Sequence, residues 1–266
     1  MVSAIQKKLE IPGSKIILAF ASVYLIWGST YLAIRFAIET IPTFFMGGVR
    51  FLTAGFIVYL FLRLRGREKP SMSEWRTESI VGLLLLAIAN GSVVMAEHTV
   101  PSGLAALMVA TVSVWMVLLN WLWKGAHHNK SLMLSAAMQM ITGGVFLMIF
   151  ATINGEWQTL NLSGISLLSF YSLGYLIVFG SIIGFSSYVY ILRHSSPDHV
   201  STYAYVNPVI AVILGWAFAD EIIDLKIIIA AGFIIFSVIL ITKFREGKNI
   251  TTEVTSVKKK VIVENR

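Results

Sequence analysis

The stretch HSSPDHVSTYAYVNPVIAVILGWAFADE, residues 194–221, decides the fold because it is an apolar run with polar residues inside it. The run is long enough to cross a bilayer as a helix. Its first half nevertheless carries Tyr203, Asn207 and Pro208, for which a purely structural span has little use. We therefore interpret this stretch as a membrane helix that forms part of a cavity wall.

Two internal matches indicate that the chain is duplicated. The region around Pro101 recurs around Pro197, at an offset that also relates two histidines. RFLTAGFIVYLF (50–61) aligns without gaps on QMITGGVFLMIF (139–150). A repeat of this kind determines the architecture, since each copy must be built alike.

The composition places the chain among membrane proteins. It is 56% hydrophobic and 13% charged, with a mean hydropathy of +0.77, whereas soluble domains average about 45–50% apolar and about 25% charged residues. The net charge of +7 comes from loops and tails rather than from one basic face, so we expect no nucleic-acid partner. The absence of cysteine excludes a disulfide framework and a thiolate metal site.

Eight apolar segments are each long enough to span the bilayer as a helix. They are residues 16–37, 42–62, 79–100, 103–123, 131–153, 169–192, 200–218 and 225–242. The sequence therefore predicts an all-α integral membrane protein with eight transmembrane helices. The first segment is too long for the apolar core of a signal peptide, so we predict that it is retained.

Lysine and arginine alternate between the loops as expected for eight spans with both termini in the cytoplasm. With that orientation the outside loops contain only Lys226, while the inside loops and the two termini hold the other basic residues. We predict a cell (inner) membrane location, a cytoplasmic N-terminus at residues 1–15 and a disordered basic tail at 243–266.

Five motifs in order resemble the drug/metabolite transporter superfamily, specifically the EamA-type multi-pass exporters. They are LIWGSTYLAIR (25–35), GVRFLTAG (48–55), AEHTVPSGLAALMVATV (96–112), GSIIGFSSYVYILR (180–193) and SSPDHVSTYAYVNPVIAVILG (195–215). The resemblance covers nearly all of the chain outside its tails.

The resemblance implies ten helices in two inverted five-helix halves with a substrate path between them. This chain lacks two of the ten, because only KGAHHNK (124–130) separates the fourth segment from the fifth. The halves are then residues 16–123 and 131–242, with four helices each. The shortened fold keeps the inverted repeat but loses part of the cavity wall.

The resemblance further implies a secondary transporter that exports small organic metabolites, such as amino-acid-like solutes or drugs, by alternating access. The alternative is a non-transporting or defective membrane bundle left by the loss of two helices. A third hypothesis is a homodimer in which a second copy rebuilds the missing wall. The expected partners are a small-molecule substrate and the lipid bilayer.

Arg50 is the most informative charged residue. It lies eight residues after Pro42, which places it roughly 12 Å into an apolar core about 30 Å thick. A charge at such a depth costs roughly 2.5–3.5 kcal/mol and needs a partner, water or a cavity. We predict either a substrate-facing role or a structural bond to helix-end carbonyls, Glu39 or Glu97.

Five further residues are candidates for the substrate cavity, each with a structural alternative. Trp27 and the neighbouring Thr30 could meet an organic solute or pack against other helices. Asn90 would line a polar path inside the third segment. Tyr203 and Asn207 share one helix face, where they would line the cavity or form an interhelical hydrogen bond beside a proline kink.

Glu97 and His98 form the most plausible titratable pair. A histidine changes its charge near neutral pH, so the pair could couple transport to protons. The blander alternative is a pair that is merely solvated at the membrane edge. The sequence contains no phosphate-binding loop and no HExxH motif, so we predict no enzyme activity, no cofactor and no metal site.

Overall fold

The computed structural model describes residues 13–111 and 131–223, together with isolated positions between 225 and 236. The described part of the chain is helical and contains no strand. Its principal helices are α1 (Gly13–Ala37), α2 (Thr43–Leu64), α3 (Met72–Ala96), α4 (Ser102–Ala110), α5 (Leu132–Ile153), α6 (Leu167–His194) and α7 (Tyr203–Phe218). Short turns at Glu156–Thr159, Leu162–Gly164 and Pro197–Val200 connect the later helices.

Five of these helices are long and apolar enough to cross a membrane, namely α1, α2, α3, α5 and α6. The α7 helix is apolar but shorter. Large apolar side chains such as Leu18, Phe56 and Ile153 are more than 60% exposed, as expected for surfaces that face lipid. The chain is therefore a multi-pass membrane protein. The fourth predicted segment continues beyond α4, and most of the eighth lies outside the described residues, so the count of eight stays a prediction.

Polar caps shift some helix boundaries from those that hydropathy predicts. The α3 helix begins at Met72 rather than at residue 79, because Ser71 and Glu74 form a capping box. The Ser71 hydroxyl accepts from the Glu74 N–H at 3.2 Å, and the Glu74 carboxylate accepts from the Ser71 N–H at 2.6 Å. The first turn of α3 is polar and does not belong to the apolar run, so hydropathy predicts a helix start that is later than the observed one.

The two repeat-equivalent helices α3 and α6 share an irregularity. Each contains eight residues of π-helix, at Leu83–Asn90 in α3 and Leu176–Ile183 in α6. A π turn changes which carbonyls are bonded within the helix, and such turns often occur at functional sites. The equivalent position of the two π segments agrees with the internal duplication.

The two halves of the described chain, residues 13–111 and 131–223, are packed into one another. The α1 helix packs on α6 and α7, α2 and α3 pack on α5, and α4 packs on α7. Repeat-equivalent glycines permit the α2–α5 contact. A Cβ atom on Gly55 would lie 2.8 Å from the Ile141 backbone nitrogen, and one on Gly144 would lie 2.8 Å from that of Leu52. The boundary between the halves is thus the main packing surface.

Candidate functional site

Arg50 lies in α2 at the boundary between the halves and is 5% exposed. Its Nε donates to the Ser181 hydroxyl in the π segment of α6 at 3.0 Å. Gly180 makes room for the guanidinium, since a Cβ there would lie 3.3 Å from the nearer terminal nitrogen. Within the described residues, the two terminal nitrogens have no hydrogen-bond partner.

Tyr31 and Glu97 are the charged or polar neighbours that interact electrostatically with Arg50. No carboxylate of the described chain approaches Arg50 within ion-pair distance, so neither Glu39 nor Glu97 is its direct partner. The hydrogen-bond partner of Arg50 among the described residues is instead the Ser181 hydroxyl, which was not among the predicted partners. The guanidinium therefore has no acidic partner at short range in the described residues, and it lies 4.7 Å from the centroid of the Phe51 ring.

The repeat counterpart of Arg50 also makes a polar contact across the boundary between the halves. Gln139 of α5 donates through Nε2 to the Glu78 carboxylate of α3 at 2.6 Å, and Glu78 is buried. In the first case, that of Arg50, a side chain of α2 reaches α6, and in the second a side chain of α5, the counterpart of α2, reaches α3, the counterpart of α6. The two contacts therefore join equivalent pairs of helices across the boundary between the halves.

Trp27 lies in an aromatic cluster beside this boundary. Its indole N–H donates to the Gly180 carbonyl at 3.2 Å. Its ring centroid lies 5.0–5.5 Å from those of Phe185, Tyr188 and Tyr203. Close packing on the helix of Gly180 and three edge or tilted ring contacts fix the indole in place.

Thr30 and Asn90 differ in their surroundings. Thr30 is buried, donates to the Trp27 carbonyl at 2.6 Å, and would lie 3.0 Å from a Cβ on Gly180. Asn90 is half-buried at the last residue of the α3 π segment, and its side chain makes no hydrogen bond to the described residues. Thr30 thus belongs to the Arg50 surroundings, whereas no contact joins Asn90 to them.

Asn207 joins α7 to α1. In the amide orientation that satisfies its neighbours, its NH2 group donates to the main-chain oxygens of Tyr24 and Tyr203, each at 3.3 Å. Gly28 permits this close approach of α1 and α7, because a Cβ there would lie 3.2 Å from the main-chain carbonyl oxygen of Asn207. The side chain therefore forms the interhelical hydrogen bond that was one of its two predicted roles.

Glu97 and His98 follow the last residue of α3 and do not contact the same groups. The Glu97 side chain is 2% exposed, and neither carboxyl oxygen has a hydrogen-bond partner among the described residues. Burial raises the pKa of this carboxyl well above its usual range, and the nearby Glu221 raises it further. His98 is exposed and bonds the Thr43 hydroxyl at 2.6 Å.

Three of the predicted cavity residues, Trp27, Thr30 and Arg50, converge on Gly180 and Ser181 of α6. Tyr203 joins them through its ring contact with Trp27, whereas Asn207 serves the α1–α7 contact. Ser181 and Tyr188 were not among the residues predicted from the sequence. A hydroxyl inside an apolar run was the available signal for Ser181, since such groups form interhelical bonds in membranes.

The side chains described around Arg50 are of the kinds that contact a solute rather than hold a metal ion. Within the described residues, no group of three or more histidine or acidic side chains could hold a metal ion. A buried cation, hydroxyls and aromatic rings at the boundary of two repeats suit the recognition of a polar organic solute.

Comparison with known proteins identifies the family of the chain. The model of the EamA-like transporter family matches twice, over residues 14–138 and 128–243. The chain is 36% identical over 278 residues to the protein of Escherichia coli K12 named uncharacterized inner membrane transporter YedA, covering 84% of this chain and 89% of the relative.

Two more distant relatives also bear transporter names. A Buchnera aphidicola protein named uncharacterized transporter in the trpA 3′ region is 24% identical, covering 86% of this chain and 93% of the relative. The S-adenosylmethionine/S-adenosylhomocysteine transporter of Chlamydia trachomatis is 26% identical, covering 79% and 64%. No solved structure gives a significant match. The chain, which carries both copies of the family domain, belongs to the EamA-like transporter family and is a membrane transporter rather than an enzyme.

Proposed function

We propose that the chain is a secondary transporter that exports small organic metabolites across the inner membrane by alternating access. Both termini lie in the cytoplasm in this proposal, as the distribution of lysine and arginine predicts. In carriers built from inverted repeats the substrate site lies near the midplane, at the interface of the repeats. Amino-acid-like solutes are the substrates to test first.

The observation that carries the proposal is the position of Arg50. Its guanidinium is buried between the two halves, donates to a hydroxyl and lies 4.7 Å from the centroid of the Phe51 ring, and no carboxylate of the described residues lies within ion-pair distance of it. A charge that serves packing alone would be expected to have a close carboxylate partner, because an uncompensated charge in a membrane is costly. Arg50 would bind a carboxylate or another acceptor group of the solute.

The rival proposal is a non-transporting bundle left by the loss of two helices. The alignment with the Escherichia coli relative spans 278 positions, more than the 266 residues of this chain. The relative therefore has residues that this chain lacks. This difference supports a shortened form, whose export of the proposed solutes is the property to be tested. A homodimer that restores the wall is a third outcome, which crosslinking near residues 124–131 would detect.

The test is efflux from cells that express the full chain. Cells are loaded with labelled amino acids or with S-adenosylmethionine, the latter because the name of the Chlamydia relative includes it. We expect faster efflux with the wild type than with Arg50→Gln, which introduces the amide found at the repeat counterpart. Arg67→Gln is the matched control, since Arg67 is exposed in the loop after α2.

Three outcomes separate the proposals. Export by the wild type and by the Arg67 variant, but not by the Arg50 variant, supports a transporter with Arg50 in its site. Export that is equal in all three leaves the transporter but removes Arg50 from the site. Efflux equal with and without the protein, for every solute in the panel, favours the non-transporting bundle.

A further inference from the structure

A glutamate of the second half caps a helix of the first half at one end of the bundle. This end, at which α1 finishes, is called the Ala37 end. Glu221, which follows α7, accepts from the N–H groups of Ser102 and Gly103 at the start of α4, at 2.8 and 3.3 Å. Arg35 lies 3.6 Å from the same carboxylate. Gly215 leaves the space that the carboxylate occupies.

A second glutamate does the same for α2. Glu156, which follows α5, accepts from the N–H groups of Phe44 and Phe45 at 3.0 and 2.7 Å. Both carboxylates thus bond the first-turn N–H groups of a helix in the opposite half. Hydrogen bonds from N–H groups to a carboxylate are among the stronger ones, and the helix dipole strengthens them further.

The local construction of the two caps is the same. The capped helices α2 and α4 both begin after a proline, Pro42 and Pro101, which has no side-chain group to cap its own helix. Each glutamate follows a residue with a left-handed backbone, Gly155 at φ 71° and Asp220 at φ 50°. That turn directs the next side chain back into the bundle. The first turns of α2 and α4 are therefore capped in the same way, each by a glutamate of the opposite half.

We propose that Glu156 and Glu221 form a gate that holds the Ala37 end of the transport path closed. The inference rests on the proposed function, because alternating access requires the halves to separate at this end in one state. Separation must break both caps, and it exposes the first turns of α2 and α4. The two carboxylates therefore set the population of the state that is open at the Ala37 end.

The absence of cysteine from the chain makes accessibility the most direct test. Ser102→Cys places a reporter beside Glu221 at a side chain that is fully buried. The Ser102 hydroxyl has no partner in the described residues, and the backbone N–H that binds Glu221 is retained. A membrane-impermeant maleimide is added to whole cells and to inverted membrane vesicles. The side that reacts reports which surface carries the Ala37 end.

Glu221→Gln and Glu156→Gln are introduced separately into the reporter chain. Each amide removes the charge and replaces one acceptor oxygen with a donor, so we expect the labelling rate to rise about tenfold. Asp220→Asn is the matched control, because Asp220 is an exposed acid next to Glu221 and asparagine tolerates its left-handed backbone. Labelling that is equal in the Glu221, Glu156 and Asp220 variants would overturn the gate.

A second reporter separates opening from unfolding. Ala137→Cys lies at a fully buried position of α5, and it should stay unlabelled in both glutamate variants if only the gate opens. Labelling of both reporters together would mean loss of the fold and would contradict the proposal. Faster labelling at Ser102 without any measurable efflux would support the gate and refute the proposed function. Measurable efflux with unchanged labelling at Ser102 would support the proposed function and refute the gate.

Discussion

Arg50 donates through Nε to the Ser181 hydroxyl at 3.0 Å, and this hydrogen bond joins the first half of the chain to the second. Its counterpart, from Gln139 to Glu78, joins the halves in the opposite sense at 2.6 Å. The two bonds lie on equivalent pairs of helices. The boundary between the repeats is therefore held by polar contacts that a solute could compete for or rearrange.

Ser181→Ala should destabilise the protein, because it leaves the Nε of a buried guanidinium without a partner. The expected loss is about 1.5–3 kcal/mol of unfolding free energy, as for a hydrogen bond to a charged group. Thermal unfolding in detergent measures it. Ser22→Ala is the control, since Ser22 donates only to the carbonyl of Leu18 in its own helix, and its melting temperature should hardly change.

Gln139→Leu should also destabilise the protein, by about 1–3 kcal/mol, because the buried Glu78 carboxylate loses its donor. The double variant with Glu78→Leu should recover much of that loss, since no polar group is then left unpaired. A double-mutant cycle of unfolding free energies measures the coupling. Additive losses in the cycle would show that the two side chains do not depend on each other.

Gly144→Ala should weaken the contact between α2 and α5. The new Cβ would lie 2.8 Å from the Leu52 backbone nitrogen, so the helices must move apart. The expected cost is about 1–3 kcal/mol, as for overpacking elsewhere. Gly174→Ala in α6 provides the comparison, because a Cβ there meets nothing within 4 Å and alanine favours a helix. An equal melting temperature for both variants would contradict the predicted close contact.

Glu97 should make stability depend on pH. Because burial raises the pKa of its carboxyl, the folded protein keeps a proton that the unfolded chain releases above about pH 4.5. Stability is therefore fully present below that pH and falls as the pH rises toward the folded pKa. Glu97→Gln should remove this dependence, so its melting temperature relative to the wild type should be higher at pH 8 than at pH 5. A constant difference would exclude a buried, protonated Glu97.

The sequence predicted the membrane class, the family and the duplication, and the comparisons and the helices confirm them. Hydropathy located the long helices because apolar runs of about 20 residues are a local property. It placed the start of α3 too late, at residue 79, because the polar first turn after Ser71 adds nothing to an apolar run. The depth of Arg50 in the second segment predicted it as a site residue. The sequence did not predict Ser181 as its hydrogen-bond partner.

The sequence by itself determined that the chain is a membrane protein and that two similar halves exist, since composition and repeats can be read along the chain. Only the tertiary structure decided which residues contact one another. Ser181 meets Arg50, and Glu221 meets the first turn of α4, across more than one hundred positions of sequence. No periodicity encodes such pairs, because they depend on how the helices of the two halves pack against each other.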